Sequence, residues 1–374
     1  MVMEARQGTG GAAGTGGGIH APARAGDEIR LSVVIPNYNY ARFVGDAIDS
    51  ALGLDWPHVE VIVVDDGSTD GSRAVIEAYG PRITALFQPN QGQVGACNTG
   101  FVASHGNVVI FLDSDDVLDP SVVREAAAAW RPGISKLQFQ MRSVDADLVP
   151  HGSFFPQYHQ VPTPDEVRRW ATSTGTYPTP PGSGNVYSRE FLQKIFPLDH
   201  AGGRASDSCC IAAAPFLGDV ITLPKPLVSY RIHGKNDGAF SELDTRRFGR
   251  EVARATQLFG YAQRIAASAG LSVADDAIRY SLSLLPYRVA SFRLDPTAHP
   301  LPRDHRVSLL GDLFHGLRRP QGMTWRARAA ISIWSVLVLF APMWLASRIV
   351  LWRFATGTRP QALVRSMRAL GIVR

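Results

Sequence analysis

Two short acidic clusters stand out in this chain of 374 residues. Asp113-Ser114-Asp115-Asp116 follows the apolar run Val108-Val-Ile-Phe-Leu112, and Asp65-Asp66 follows Val59-Glu-Val-Ile-Val-Val64. Carboxylates two apart at the end of a buried strand can converge on one hard divalent cation, which in turn binds a diphosphate. Crowding three carboxylates without compensation is costly, which favours a bound cation or a donor-rich partner. Asp66 can accept a hydrogen bond from a nucleobase N–H, with Gly67 allowing close backbone approach. Taken alone, each cluster reads equally well as solvated or helix-capping aspartates.

The elements that must position these residues are legible upstream. Leu31-Ser-Val-Val-Ile35, closed by Pro36, reads as a buried strand. Val44, Ala47, Ile48, Ala51 and Leu52 recur on one helical face. Val59–Val64 is a second strand, and Thr69 or Asp70 can cap a helix carrying Ala74, Val75, Ala78 and Tyr79. Ile83–Phe87 is a third strand, Val94–Ser104 a helix, and Val108–Leu112 a fourth strand. Strictly alternating strands and helices predict an α/β fold with a parallel sheet covered on both faces. Such sheets bind ligands at the carboxyl ends of their strands, where both acidic clusters lie. Residues 132–235 are less regular and rich in Pro and Gly, and 241–320 read as helical without a chemical motif.

Composition narrows the classes. An apolar fraction of 45% excludes wholesale disorder and a multi-span membrane protein. Three cysteines, two of them the adjacent Cys209 and Cys210, make no disulfide framework and suit a reducing compartment. The formal charge is +5, but Asp312 is the last acidic residue and ten arginines follow it, leaving −5 on residues 1–312. The Gly-rich stretch 1–28 reads as a flexible leader lacking the long apolar core of a secretion signal. Ala329–Ser347 is uncharged over 19 residues; as a helix it would measure about 28 Å, close to a hydrocarbon core of ~30 Å. Arg326 and Arg328 precede it, Arg348 and Arg353 follow it, and Pro342 interrupts it. A span, an in-plane helix on an anionic surface and an ordinary buried helix pair all fit that pattern. No recognised nucleic-acid module accompanies the arginines.

Five motifs occur in order: Val33-Val-Ile-Pro-Asn-Tyr-Asn39, Val63-Val-Asp-Asp-Gly-Ser68, Asn90-Gln-Gly92, Asn98-Thr-Gly100 and Phe111-Leu-Asp-Ser-Asp-Asp116. The stretch from about Leu31 to Asn236 resembles family 2 glycosyltransferases, inverting enzymes with a GT-A type nucleotide-sugar fold. The resemblance implies that Pro36 and Tyr38 flank the base and ribose and that Asp66 contacts a uracil-like base. It places Asp113 by the ribose or diphosphate and makes Asp115 the main metal-binding carboxylate, with Asp116 supporting the metal or the acceptor. Gly182-Ser183-Gly184 with Arg189 resembles the acceptor-side loop, and Asp207 matches the general base. Tyr230-Arg231-Ile-His233, followed by Asn236, resembles the stretch that closes over the diphosphate; there Arg231 would meet the nucleotide sugar, and His233 the phosphate or metal. Asn98 belongs to the nucleotide-sugar set by the same likeness. Two positions depart from the family's pattern: Cys97 stands where a basic residue is common, and Ser206 replaces a glutamate. The missing positive contact would fall to Arg204 or Arg231.

The expectation is therefore a GT-A type catalytic domain over 29–240, with a mainly parallel sheet, after the leader 1–28. A helical region over 241–325 and a basic, apolar, membrane-associating tail over 326–374 follow. By resemblance the activity is transfer of a sugar from a nucleotide-diphosphate donor, a UDP-sugar, to a glycan or lipid-linked acceptor for polysaccharide or envelope assembly. It implies a divalent cation, Mn2+ or Mg2+. The expected location is the cytoplasmic face of the membrane, on an anionic surface, with no nucleic-acid partner. The alternatives are a nucleotidyltransferase, which lacks support because no glycine-rich basic loop follows the first strand, and a catalytically idle, membrane-tethered relative that binds a partner.

Overall fold

The computed structural model describes residues 29–199, 206–233 and 244–355. The leader 1–28, Arg204, Asn236 and the last four arginines of the tail lie outside the described residues.

The first half alternates as its apolar runs require. Strand β1 (Leu31–Asn37) leads to α1 (Val44–Leu52), β2 (Val59–Asp65), α2 (Ser72–Glu77), β3 (Thr84–Phe87), α3 (Gly92–Ala103) and β4 (Val108–Phe111). These four strands pair in parallel in the order β3-β2-β1-β4. The mostly apolar runs of β1, β2 and β4 reflect burial on both faces, while β3 at the sheet edge is partly exposed. Leu31, Val33 and Ile35 of β1 point into one core with α1, while Val34 packs into a second core with Val94 and Phe101 of α3. Gly100 sets the second contact: a Cβ there would fall 2.3 Å from Val34 Cγ1 and 3.2 Å from Val64 Cγ2.

The second half completes the sheet rather than forming irregular loops. Strand β5 (Val117–Leu118) and α4 (Val122–Ala129) precede β6 (Ile134–Val144) and β7 (Pro150–Phe155); α5 (Pro164–Thr174), β8 (Asn185–Ser188) and α6 (Arg189–Leu192) follow, then α7 (Ser206–Leu217) and β9 (Asp219–Arg231). Among the described residues the sheet has nine strands, ordered β3-β2-β1-β4-β8-β6-β9-β5 with β7 on β6. Strand β8 is antiparallel to β4 and β6, β6 and β9 are parallel, and β5 is antiparallel to β9. The long strands escaped the sequence pattern for physical reasons. Strand β9 contains Pro224 and Pro226, which cannot donate to a ladder, and the β6–β9 register shifts between Phe139 and Met141 to accommodate them. Strand β6 alternates, but its polar residues Lys136, Gln138 and Gln140 are buried too.

Among the described residues five α-helices follow: α8 (Thr245–Ser268), α9 (Leu285–Leu294), α10 (Arg306–Arg318), α11 (Trp325–Phe340) and α12 (Met343–Phe354). Helix α8 brings Tyr261 into the second core of the sheet, and Phe248, Val289, Leu309, Val338 and Val350 build a separate core among the helices. Arg288 is fully buried there and held by Asp304 and Asp312 at 2.6 and 2.7 Å. The uncharged segment 329–347 is not one helix. It breaks between α11 and α12, where Pro342 stands at the start of α12. Among the described residues no helix is long and apolar enough to cross a membrane.

Candidate functional site

The site lies where β1, β2 and β4 end beside each other. Asn37 pairs with Asp65 across the β1–β2 register, and Asn37 Nδ2 donates to Asp65 Oδ2 at 2.9 Å. Asp65 Oδ1 accepts the Ser68 N–H at 2.9 Å, so Asp65 shapes its own loop. Asn39, with φ +61°, turns its Oδ1 onto the Thr69 N–H at 2.7 Å and fixes the same loop from the other side. Asp70, as the sequence allows, accepts the Ser72 N–H at the start of α2. Asp66 is buried, and its Oδ1 accepts from Gln88 Nε2 at 2.6 Å and from the Gln91 N–H at 2.9 Å. Tyr38 stands 46% exposed, and Pro36 is half-buried.

The second cluster is tied to the loop at 182–184. Ser183 is fully buried; its hydroxyl donates to Asp116 Oδ2 at 2.6 Å and accepts the Asp113 N–H at 3.1 Å. Asp116 Oδ1 also accepts the Arg231 N–H at 3.0 Å. Gly182 is the contact point between two carboxylates. Its N–H donates to Asp207 Oδ2 at 3.2 Å, and a Cβ on it would fall 2.9 Å from Asp113 Oδ2. A side chain there would collide with the Asp113 carboxylate. Asp207 lies in the first turn of α7, where the helix dipole favours an anion. Gly184 is equally confined, a Cβ there falling 2.6 Å from Pro180 Cβ.

Electrostatics follow from this crowding. Burial, reinforced by Asp116, Asp207 and Asp115, pushes the Asp113 carboxyl well above the usual range. Burial and then the Asp115 charge push Asp116 up to about 8. The chain thus crowds carboxylates that raise one another, with Arg231 opposing the rise at Asp116. His233 Nε2 lies 2.9 Å from Asp115 Oδ2, and its ring stacks on Phe43 with centroids 4.8 Å apart. Oxygen and imidazole donors suit a divalent cation. Among the described residues, however, no group of three or more His, Cys, Asp or Glu side chains is arranged to hold a metal. Asp113, Asp115 and His233 therefore come near each other without forming a finished ligand set.

Two residues of the expected nucleotide set occupy internal positions. Asn98 spends both ends of its amide on the Leu198 backbone, Nδ2 to the carbonyl and Oδ1 from the N–H, each at 2.8 Å. The Arg231 guanidinium is 2% exposed and donates to the Asp115 carbonyl at 2.8 Å, the Ala146 carbonyl at 2.6 Å and Asp46 Oδ2 at 2.7 Å. It also sits over the Phe43 ring. Arg189 likewise turns inward, to the Gly106 carbonyl and Ser104 Oγ. The two positions that depart from the family pattern touch: Cys97 Sγ and Ser206 Oγ are 3.1 Å apart and buried.

Sequence reasoning missed the polar face of β6. Lys136 is fully buried and donates to Thr179 Oγ1 at 2.8 Å and Asn185 Oδ1 at 2.9 Å, and burial holds its amine well below the usual range. Asn185 in turn donates to the carbonyls of Pro180, Pro181 and Gly182. Gln138 holds the Pro178 carbonyl and Gln140 the Pro156 carbonyl. This network fixes the loop that carries Gly182 and Ser183. The available signal was the alternation Lys136, Gln138, Gln140 against Leu137, Phe139, Met141.

Comparison with known proteins agrees with this geometry. Residues 32–196 match the family model described as Glycosyl transferase family 2. An uncharacterized glycosyltransferase of Nostoc sp. is 38% identical over 216 residues, 56% of this chain and 66% of that protein. The putative teichuronic acid biosynthesis glycosyltransferase TuaG of Bacillus subtilis is 39% identical over 90 residues, 23% of this chain and 36% of that protein. These matches span less than two thirds of either relative. The solved structure of S. aureus TarS residues 1–349 superposes with a TM-score of 0.51 at 17% identity, covering 88% of this chain and 92% of that one, a likeness of fold. With five ordered motifs, a family model matching residues 32–196 and this sheet around the acidic loops, the chain carries a glycosyltransferase family 2 domain with a GT-A type fold.

Proposed function

We propose that the protein transfers a sugar with inversion from a nucleotide-diphosphate donor, a UDP-sugar, to a glycan or lipid-linked acceptor in polysaccharide or envelope assembly. The observation that carries this is the loop at 182–184, which holds Asp113 and Asp116 on one side and Asp207 on the other. Tyr38 and Asp66 take the nucleoside, with Asp66 Oδ2 the acceptor that Gln88 and Gln91 leave for a base N–H. Asp207 takes the proton of the acceptor hydroxyl as that oxygen bonds to the anomeric carbon. The bond from the anomeric carbon to the diphosphate oxygen breaks, and the nucleoside diphosphate leaves with the electron pair. Asp115, Asp113 and His233 would hold Mn2+ or Mg2+, which when bound supplies charge neutralisation for the leaving diphosphate. Asp116, Ser183 and Gly184 form the acceptor-side wall. Asn98 and Arg231 serve this reading as braces of the site. The teichuronic-acid relative supports the polysaccharide assignment, and the basic, apolar helices support work at the cytoplasmic face of a membrane.

The test uses the purified chain with Mn2+ or Mg2+ and a panel of nucleotide sugars, read by product mass. Asp115→Asn is expected to lose cation-dependent donor binding. Asp207→Asn is expected to keep donor affinity and lose about a hundredfold or more in turnover. Loss of donor binding in Asp207→Asn with turnover kept in Asp115→Asn would refute the assignment. A folded chain that shows no thermal shift with UDP and cation would instead support the idle, partner-binding relative.

A further inference from the structure

Helices α10 to α12 carry more apolar surface than they bury. On α11 one stripe, Ile331, Ser335, Val338 and Leu339, packs inward. The opposite stripe, Ile333, Val336, Leu337 and Phe340, is as apolar and lies exposed, and it continues into Met343 and Trp344 of α12. Ile333 is 62% and Trp344 63% exposed. A contiguous water-facing stripe of this kind marks a surface that something else covers.

The charge pattern identifies what. From His305 to Phe354 the chain has a single carboxylate, Asp312, and it faces inward onto Arg288 and Arg279. Four exposed aromatics each lie under an exposed guanidinium: Phe314 under Arg318 at 3.8 Å, Trp325 under Arg326 at 5.6 Å, Phe340 under Arg306 at 5.9 Å and Trp344 under Arg348 at 5.8 Å. A groove of ≈ 460 Å³, lined in part by Phe292, Arg306, Val307 and Met343, joins α10 to the start of α12. A second copy of the chain meeting this one through the same face would set arginine against arginine with no carboxylate to neutralise them. An anionic headgroup layer neutralises them, and its acyl boundary accepts the stripe. Helix α11 has 16 residues, about 24 Å, short of a ~30 Å hydrocarbon core.

We propose that the exposed stripe of α11 and the start of α12 lie in the plane of an anionic bilayer, apolar side chains at the acyl boundary and arginines among the phosphates, with neither helix spanning. This deepens the membrane-surface part of the proposed function and is independent of its chemistry. The full chain is sedimented with vesicles of phosphatidylcholine alone and with one-third phosphatidylglycerol, without nucleotide. Binding is expected only with phosphatidylglycerol, weakening as salt rises. Arg326→Ala and Arg348→Ala each reduce it about fivefold, and Phe340→Ser with Trp344→Ser reduces it about tenfold or more. Thermal melts of these surface variants match the parent, because the replaced side chains are exposed. Brominated lipid quenches tryptophan fluorescence in the parent and less in Trp344→Phe.

Absence of binding to the anionic vesicles overturns the proposal. So does binding unaffected by Phe340→Ser/Trp344→Ser, or binding that resists an alkaline carbonate wash, which indicates a span. A concentration-dependent dimer abolished by the same substitutions assigns the surface to a second copy and overturns it too. Nucleotide binding, measured separately without vesicles, keeps a failure here distinct from a failure of the transferase reading.

Discussion

Replacing Arg231 by methionine separates two roles for this residue, a contact to the donor and a brace beneath the acidic loop. The guanidinium reaches the carbonyls of Asp115 and Ala146 and Asp46 Oδ2 while lying over Phe43. Arg231→Met leaves the two carbonyls without their charged donor. Each such bond contributes roughly 1.5–3 kcal/mol. Asp46 is about half exposed, so water replaces its lost partner at little cost. The thioether and methylenes keep most of the packing on Phe43, and the net loss is about 3–5 kcal/mol. For a chain of this size that lowers the melting temperature by roughly 4–6 °C. Arg231→Lys retains the charge but lacks the planar fork that reaches three acceptors, so it recovers less than half of the deficit. The assay is a thermal melt of the three proteins with and without UDP and Mn2+. A melt unchanged in Arg231→Met, together with a lost UDP shift, would refute the brace and restore Arg231 as a donor contact.

Three further outcomes follow from the geometry. Gly100→Ala places a methyl 2.3 Å from Val34 Cγ1 where α3 meets the sheet, and denaturant unfolding is expected to show a loss of about 1–3 kcal/mol. Cys97, Cys209 and Cys210 are buried, and burial pushes the Cys97 thiol up to about 12 and Cys209 to about 11; a colorimetric thiol assay at pH 8 is expected to find none reactive until denaturant is added. At Asp304 burial raises the carboxyl, but hydrogen bonds from His299 and Arg288 outweigh it and hold the group below its ordinary value of 3.8. A lowered carboxylate contributes stability above its unfolded value and loses it as pH falls through the folded one. The difference in stability between the parent and Asp304→Asn, followed by acid titration, should shrink as pH falls below 3.8.

How far the sequence carried depends on the element. Strands β1, β2 and β4 were legible because both faces of the middle of a parallel sheet are buried, so each is a run dominated by apolar residues. Their ends were legible for the same reason: the first carboxylates after such a run fall at the ligand-binding edge. Strands β6 and β9 were not. Burial of Lys136, Gln138 and Gln140 is tolerable only because Thr179, Asn185, Pro178 and Pro156 supply acceptors from segments 16 to 49 residues away, and no local pattern records that. Pro224 and Pro226 hid β9 because ladder bonds missing within a strand are absorbed by a register shift visible only in the pair.

Residue type and order by themselves determined the family, the α/β class and the position of the acidic loops. They also determined the split between an acidic body and an arginine-rich tail, because each of these is a property of composition or spacing along the chain. Tertiary structure decided which way the side chains turn. It brought Asp207 to within one glycine of Asp113, turned Arg231 and Asn98 inward onto backbone groups, and broke the uncharged segment into two helices with one apolar stripe buried and one exposed. Direction depends on partners distant in sequence. A guanidinium can hold a phosphate or a carbonyl equally well, and only the packed fold presents one of them.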